Sequence, residues 1–143
     1  MNNFKKPKFI KEDINELSKK YKLNYLVLFG SQVDGIARKD SDFDIAYSSQ
    51  RELDYDEEVR LAEFLAKKIK VHLGKIDLVN VKNAGPLLRN EIANNSIVLL
   101  EFVKNSFDNF QMFAFMTYIE AKPLFKMQKE YVDTSIKKYL NHI

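Results

Sequence analysis

Two short stretches of this chain combine residue types and spacing that chemistry could use: Gly30-Ser31 and, ten residues further on, Asp42-Phe43-Asp44. Side chains alternate between the faces of a strand, so Asp42 and Asp44 are expected to share one face while Phe43 and Ile45 turn to the core. Carboxylates stacked on one face repel each other unless a cation lies between them, and the pair therefore reads as a metal site. A third acid, Asp77, lies in the strand-like run Ile76-Asp77-Leu78-Val79, a setting that disfavours Asp and so suggests a functional role.

Gly30 allows a sharp backbone turn and a close approach to a ligand. A backbone amide and the Ser31 hydroxyl beside such a turn suit phosphate oxygens. Arg38 or Lys39, in the loop that follows, would neutralise a phosphate tail. The plainer alternative is a strand-to-helix turn with a capping serine. At average residue usage a given start matches this spaced pattern with a chance of roughly one in 10^5. Accident is then on the order of one in a thousand over a chain of this length, which favours chemistry.

Several elements must hold these residues. Ile10, Ile14, Leu17 and Tyr21 recur at helical spacing, predicting an amphipathic helix over 8–22. Tyr25 to Phe29 reads as a buried first strand, 31–36 as a helical turn, and 42–47 as the second strand. A helix is expected over 55–70, with Val59, Ala62, Leu65, Ala66 and Ile69 inward and Glu57 and Glu58 suited to its start. A third strand over 75–81, a helix opened by Pro86, and a fourth strand over 96–102 follow. Alternating strands and helices predict an α/β (α+β) sheet covered on one side. Beyond Lys104 the pattern is helical and aromatic: nine of the eighteen aromatic residues lie after residue 100. Pro123 is expected to kink or break that helix.

Composition narrows the rest. The chain has 143 residues with a net charge of +3 from 23 basic and 20 acidic residues, too even a balance to argue for direct nucleic-acid binding. It contains no cysteine, which excludes disulfides, thiolate metal sites and cysteine nucleophiles. No apolar run reaches membrane-spanning length and the N-terminus lacks a signal-peptide core, so a cytoplasmic protein is expected. His72 and His142 read as structural or terminal residues, and Asp40 as a shaper of its loop.

The spaced motif, with Ser41-Asp42-Phe43-Asp44 at its centre, resembles the signature of the DNA polymerase beta-like nucleotidyltransferases and, within them, the minimal nucleotidyltransferases (MNT). That resemblance spans about residues 10 to 101. It implies a palm-like mixed sheet of about four strands with flanking helices, a nucleotidyltransferase core over 1–103 and a helical C-terminal extension over 104–143. It implies transfer of AMP from ATP with two Mg2+ ions held by Asp42, Asp44 and Asp77, the last helping to deprotonate the acceptor. Gly30, Ser31, Arg38 and Lys39 would bind the nucleotide. Relatives often carry a basic residue four positions after the glycine; this chain has Asp34 there, which shifts weight to Arg38.

The family further implies a partner, a HEPN ribonuclease toxin adenylylated on a tyrosine by this chain as its antitoxin. The C-terminal helices would mediate a homodimer or that heteromer, aromatic residues being enriched at interfaces. Two alternatives stand beside this reading. One is a small-molecule, aminoglycoside-type acceptor; the other is a non-catalytic antitoxin that binds the toxin through its aromatic tail.

Overall fold

The computed structural model describes residues 4–38 and 40–142. In chain order the elements are α1 (Lys11–Tyr21), β1 (Leu23–Phe29), α2 (Ser31–Asp34), β2 (Phe43–Ser49), α3 (Tyr55–Ile69), β3 (Ile76–Asn80), α4 (Pro86–Asn94), β4 (Ser96–Glu101) and α5 (Ser106–Asn141). Short 3-10 turns flank β3 at Leu73–Lys75 and Val81–Asn83. The four strands form one sheet in the order β3-β2-β1-β4. β1 runs antiparallel to β2 and β4, while β2 and β3 are parallel. A parallel pair needs a long crossover, and α3 supplies it.

Helices cover both faces, not one. Alternation along β1 sends Leu26 and Leu28 to one face, where with Ile45 and Tyr47 they meet Leu17 and Tyr21 of α1 and Leu61 and Leu65 of α3. Tyr25, Val27 and Phe29 go to the other face, against Ile92 and Ala93 of α4 and Phe107, Phe110 and Ala114 of α5. The register slips between Leu23 and Tyr25, so Leu23 joins the even-numbered leucines. Such a slip reverses the facing of whatever precedes it, and β1 therefore begins two residues earlier than its hydrophobic run suggests. Tyr25 anchors α5 edge-on to Phe107, with ring centroids 5.2 Å apart.

α3 begins with a capping box. The Asp54 carboxylate accepts the Glu57 amide at 2.8 Å and Glu57 reaches back to the Asp54 amide at 3.3 Å. Glu57 therefore belongs to a helix start, as its position suggests.

α5 is a single helix of 36 residues that runs through Pro123. At 1.5 Å per residue it is about 54 Å long, yet only its first turns meet the sheet. The proline leaves the Ile119 carbonyl without an amide partner, and both residues are exposed, so water can take that place. Pro123→Ala is expected to raise helical circular dichroism and resist unfolding of the distal half by up to about 3 kcal/mol, with the core transition unmoved. A loss of helical signal would contradict this. Among the described residues no helix is long and apolar enough to cross a membrane.

Candidate active site

The site forms where β1 ends. Gly30 takes φ 77° and ψ −152°, a conformation open to glycine, and its carbonyl receives the amides of Val33 (3.0 Å) and Asp34 (3.1 Å) to start α2. Gly30 is itself the helix cap, so Ser31 is not the capping residue of the plainer reading. Directly across from Phe29 on β2 stands Asp44, and directly across from Asp44 on β3 stands Asp77. The approach between turn and acid is tight: a Cβ on Gly30 would overlap Asp44 Oδ2 and lie 3.2 Å from its Cγ. Glycine, Asp44 and Asp77 thus adjoin in space although 47 positions separate the first from the last in sequence.

Asp42 differs from expectation. β2 begins at Phe43, leaving Asp42 exposed in the approach to the strand instead of within it. The β1 ladder ends at Phe29 opposite Asp44, and Gln32 Nε2 donates to the carbonyls of Ser41 (3.3 Å) and Asp42 (3.5 Å) beyond it. The Asp42 charge still reaches Asp44.

Asp44 has a pKa raised from 3.8 to about 6. Burial is the largest cause, followed by the Asp77 charge and a hydrogen bond to Asp77 that favours the protonated form, then by the charges of Asp42 and Glu91. Glu91, on α4, is the member of this acidic surround that the sequence did not reveal; only packing of α4 near β2 brings it there.

The loop between α2 and β2 is pinned at several points. The Arg38 amide donates to Ser41 Oγ (2.8 Å), the Ser41 amide returns to the Arg38 carbonyl (3.0 Å), and Lys75 Nζ donates to the Asp40 carbonyl. Arg38 is exposed on this loop, and Lys39 lies outside the described residues. Asp34, at the position where relatives carry a base, accepts a hydrogen bond from Asn95 Nδ2 at the end of α4. It ties α2 to α4. His72 is likewise structural, accepting the Gly74 amide at 3.0 Å.

The donor set suits a hard divalent cation. Among the described residues no group of three or more acidic or histidine side chains stands close enough to enclose an ion. Magnesium does not require that: it keeps several waters and takes one or two carboxylates with substrate phosphates. Asp44 and Asp77, opposed in register, with Asp77 raising the proton affinity of Asp44, meet that lower requirement.

This fold and this corner define a nucleotidyltransferase. Residues 12–105 match the polymerase beta nucleotidyltransferase family, and the chain belongs to that family. A nucleotide is accordingly its substrate.

Among curated proteins, the chain is similar to the protein adenylyltransferase MntA of Aphanizomenon flos-aquae (strain 2012/KM1/D3), 29% identical over 124 residues, or 82% of this chain and 83% of the relative. Among solved structures it is similar to a chain of a toxin–antitoxin bound to AMP-PNP, with TM-score 0.64 and 23% identity over 89% of this chain and 99% of the other. It is also similar to a chain of the complex of tri-AMPylated Shewanella oneidensis HEPN toxin with MNT antitoxin. There the TM-score is 0.56 and the identity 23%, over 86% of this chain and 95% of the other. At these identities the structures establish a shared fold.

Proposed function

We propose that this chain is an antitoxin of the MNT type, a protein adenylyltransferase that moves AMP from ATP to a tyrosine hydroxyl of a HEPN-family ribonuclease toxin in the cytoplasm. The observation that carries the reading is the opposition of Asp44 and Asp77 beside the Gly30 turn. In this reading Asp42, Asp44 and Asp77 hold two Mg2+ ions. When bound, the ions offset charge on the attacking and leaving oxygens of an in-line displacement.

The chain's own groups do the rest. The Gly30–Ser31 amide and hydroxyl orient the triphosphate, and Arg38 and Lys39 offset its tail. Asp77, exposed on the open half of the face, accepts the proton of the incoming hydroxyl. The tyrosine oxygen bonds to the α-phosphorus as pyrophosphate departs.

Residues 1–103 act as the catalytic core and 104–143 as the segment that docks the partner. Support for a protein partner comes from α5, whose Met116, Ile119, Met127, Tyr131 and Ile136 stand exposed among the described residues. The MntA relative and the MNT–HEPN complexes point to the same partner class, and the Shewanella toxin's three adenylates to repeated transfer.

The test is to incubate the chain with ATP, Mg2+ and a purified HEPN toxin and record the toxin's intact mass. Adenylyl increments are expected with the natural chain and none with Asp42→Asn plus Asp44→Asn. A toxin whose mass stays constant overturns the enzymatic reading. Neutralisation that survives in the double variant would instead assign the antitoxin effect to binding through α5.

A further inference from the structure

We propose that the cleft between Lys82, Arg89 and the start of α5 seats an acidic side chain of the protein partner, so that charge beside the sheet selects which protein α5 engages. The proposal rests on the reading of that partner as a HEPN-family toxin. The cleft has a volume of about 530 Å³, enough to enclose a small ligand or an anchoring side chain. Tyr25 and Phe110 form its buried floor, and Lys82, Asn109 and Phe113 stand exposed at its mouth. Buried Ala46 and Val81 separate it from the acids, so its occupant takes no part in the transfer itself.

The lining chemistry calls for an anion. Two cations and no carboxylate line the cleft among the described residues, although the chain has 20 acidic residues. Neither Lys82 nor Arg89 forms an ion pair among the described residues. The Arg89 guanidinium lies over the Phe113 ring, 4.9 Å from its centroid, and its Nε is buried with no hydrogen-bond partner among the described residues. A buried donor left unpaired costs free energy that an incoming oxygen recovers. Stacking also holds the guanidinium in place before a partner arrives, so pairing orders little that is free. Its planar fork of N–H donors matches a carboxylate, and Lys82 adds a second charge.

The surroundings point to a protein as the source of that carboxylate. Asn109, Phe113 and Met116 follow at i, i+4 and i+7 along one face of α5, and Met127 comes round to the same face eleven residues past Met116. Phe113, Met116 and Met127 are all exposed. A protein lying along this apolar stripe reaches the cleft at the end of α5 nearest the sheet. Arginine beside aromatic and methionine side chains is the composition of an interface anchor. A free phosphate or nucleotide would satisfy Arg89 but would leave the stripe bare.

Calorimetric titration of the full chain with purified HEPN toxin, and steady-state adenylylation of the same toxin, test this. Lys82→Ala plus Arg89→Ala is expected to weaken toxin affinity at least about tenfold, the loss of a charge pair at an interface. The KM for toxin should rise by a similar factor, while kcat and the KM for ATP stay within about twofold. Raising NaCl from about 50 to about 300 mM should weaken the natural complex more than that of the double variant, a difference that a purely structural role would not produce. Arg89→Lys keeps the charge but loses the fork and the stack, and should fall between the two. Lys67→Ala plus Lys70→Ala, which removes two exposed lysines at the end of α3, should leave affinity unchanged.

Unaltered toxin affinity in the double variant, an equal loss in the α3 variant, a fall in kcat at constant KM, or equal salt sensitivity of the two complexes each overturns the proposal. It is also overturned if the double variant keeps the toxin but loses saturable binding of inorganic phosphate or AMP, or loses self-association; the occupant is then a small anion or a second copy. A natural chain that binds the toxin without transferring AMP fails the adenylyltransferase reading, and the affinities still decide the cleft. One that does not bind the toxin at all fails the partner reading, and this proposal with it.

Discussion

Asp44→Asn is expected to stabilise the metal-free protein at neutral pH while removing nucleotide transfer. The two effects share one cause. Asp44 is partly buried opposite Asp77 and near Asp42 and Glu91, and these neighbours raise its pKa from 3.8 to about 6. A carboxyl whose folded pKa lies above its unfolded value binds protons more readily when folded. Its contribution to stability is fully present below about pH 3.8, declines as pH rises through about 6, and is absent above that.

An asparagine carries no charge at any pH, so it escapes this loss. The shift would nominally be worth about 3 kcal/mol, but Asp44 is only partly buried and solvent screens its neighbours, so about 1–2 kcal/mol is expected. In a domain of this size that raises the melting temperature by about 3–6 °C at pH 7.5 and hardly at all at pH 4. Differential scanning fluorimetry of both proteins without metal is the check. A variant melting below the natural protein at pH 7.5 would refute the electrostatic account.

Magnesium should reverse the order, raising the melting temperature of the natural protein and leaving the variant unmoved. Proton and cation compete for Asp44, so metal affinity should fall as pH drops below about 6. Transfer should fall by at least about 10^3-fold in Asp44→Asn, since several kcal/mol of transition-state stabilisation depend on that ligand.

What could be read in advance follows from the range of the interactions involved. Alternation within a strand is local, so the facing of Asp44 and Ile45, and of Asp77 against Ile76 and Leu78, was legible from the sequence. The pairing of β2 with β3 depends on a parallel crossover; alternation made it plausible and the register placed Asp77 opposite Asp44. β2 begins one residue after Asp42, beside the Gly30 turn that ends its partner strand, and that boundary has no mark in the local pattern. Leu23 was lost to a register slip that no hydrophobic pattern encodes. Glu91 beside Asp44, Asn95 on Asp34 and Arg89 over Phe113 all arise from how α4 packs. Residues on one helix face carry no local sign of which distant side chain they will meet.

The glycine before Ser31 carries the second large prediction. Gly30→Ala is expected to cost about 2–4 kcal/mol of stability and at least about 10^2-fold in transfer. An alanine at φ 77° and ψ −152° is strained wherever it stands. Here its methyl would also overlap Asp44 Oδ2, and the neighbouring atoms that would have to move belong to β2. The acid can escape only by rotating its carboxylate away from Gly30, which spoils its opposition to Asp77.

Urea unfolding and single-turnover transfer on the same variant separate the two losses, and a second substitution identifies the cause. In the Asp44→Ala background the overlap is gone, because Oδ2 and Cγ are absent, and only the backbone strain remains. The stability cost of Gly30→Ala should therefore shrink to about 1–2 kcal/mol in that background. An equal cost in both backgrounds would mean that the glycine serves the turn alone, and that its closeness to the acid plays no part in requiring it.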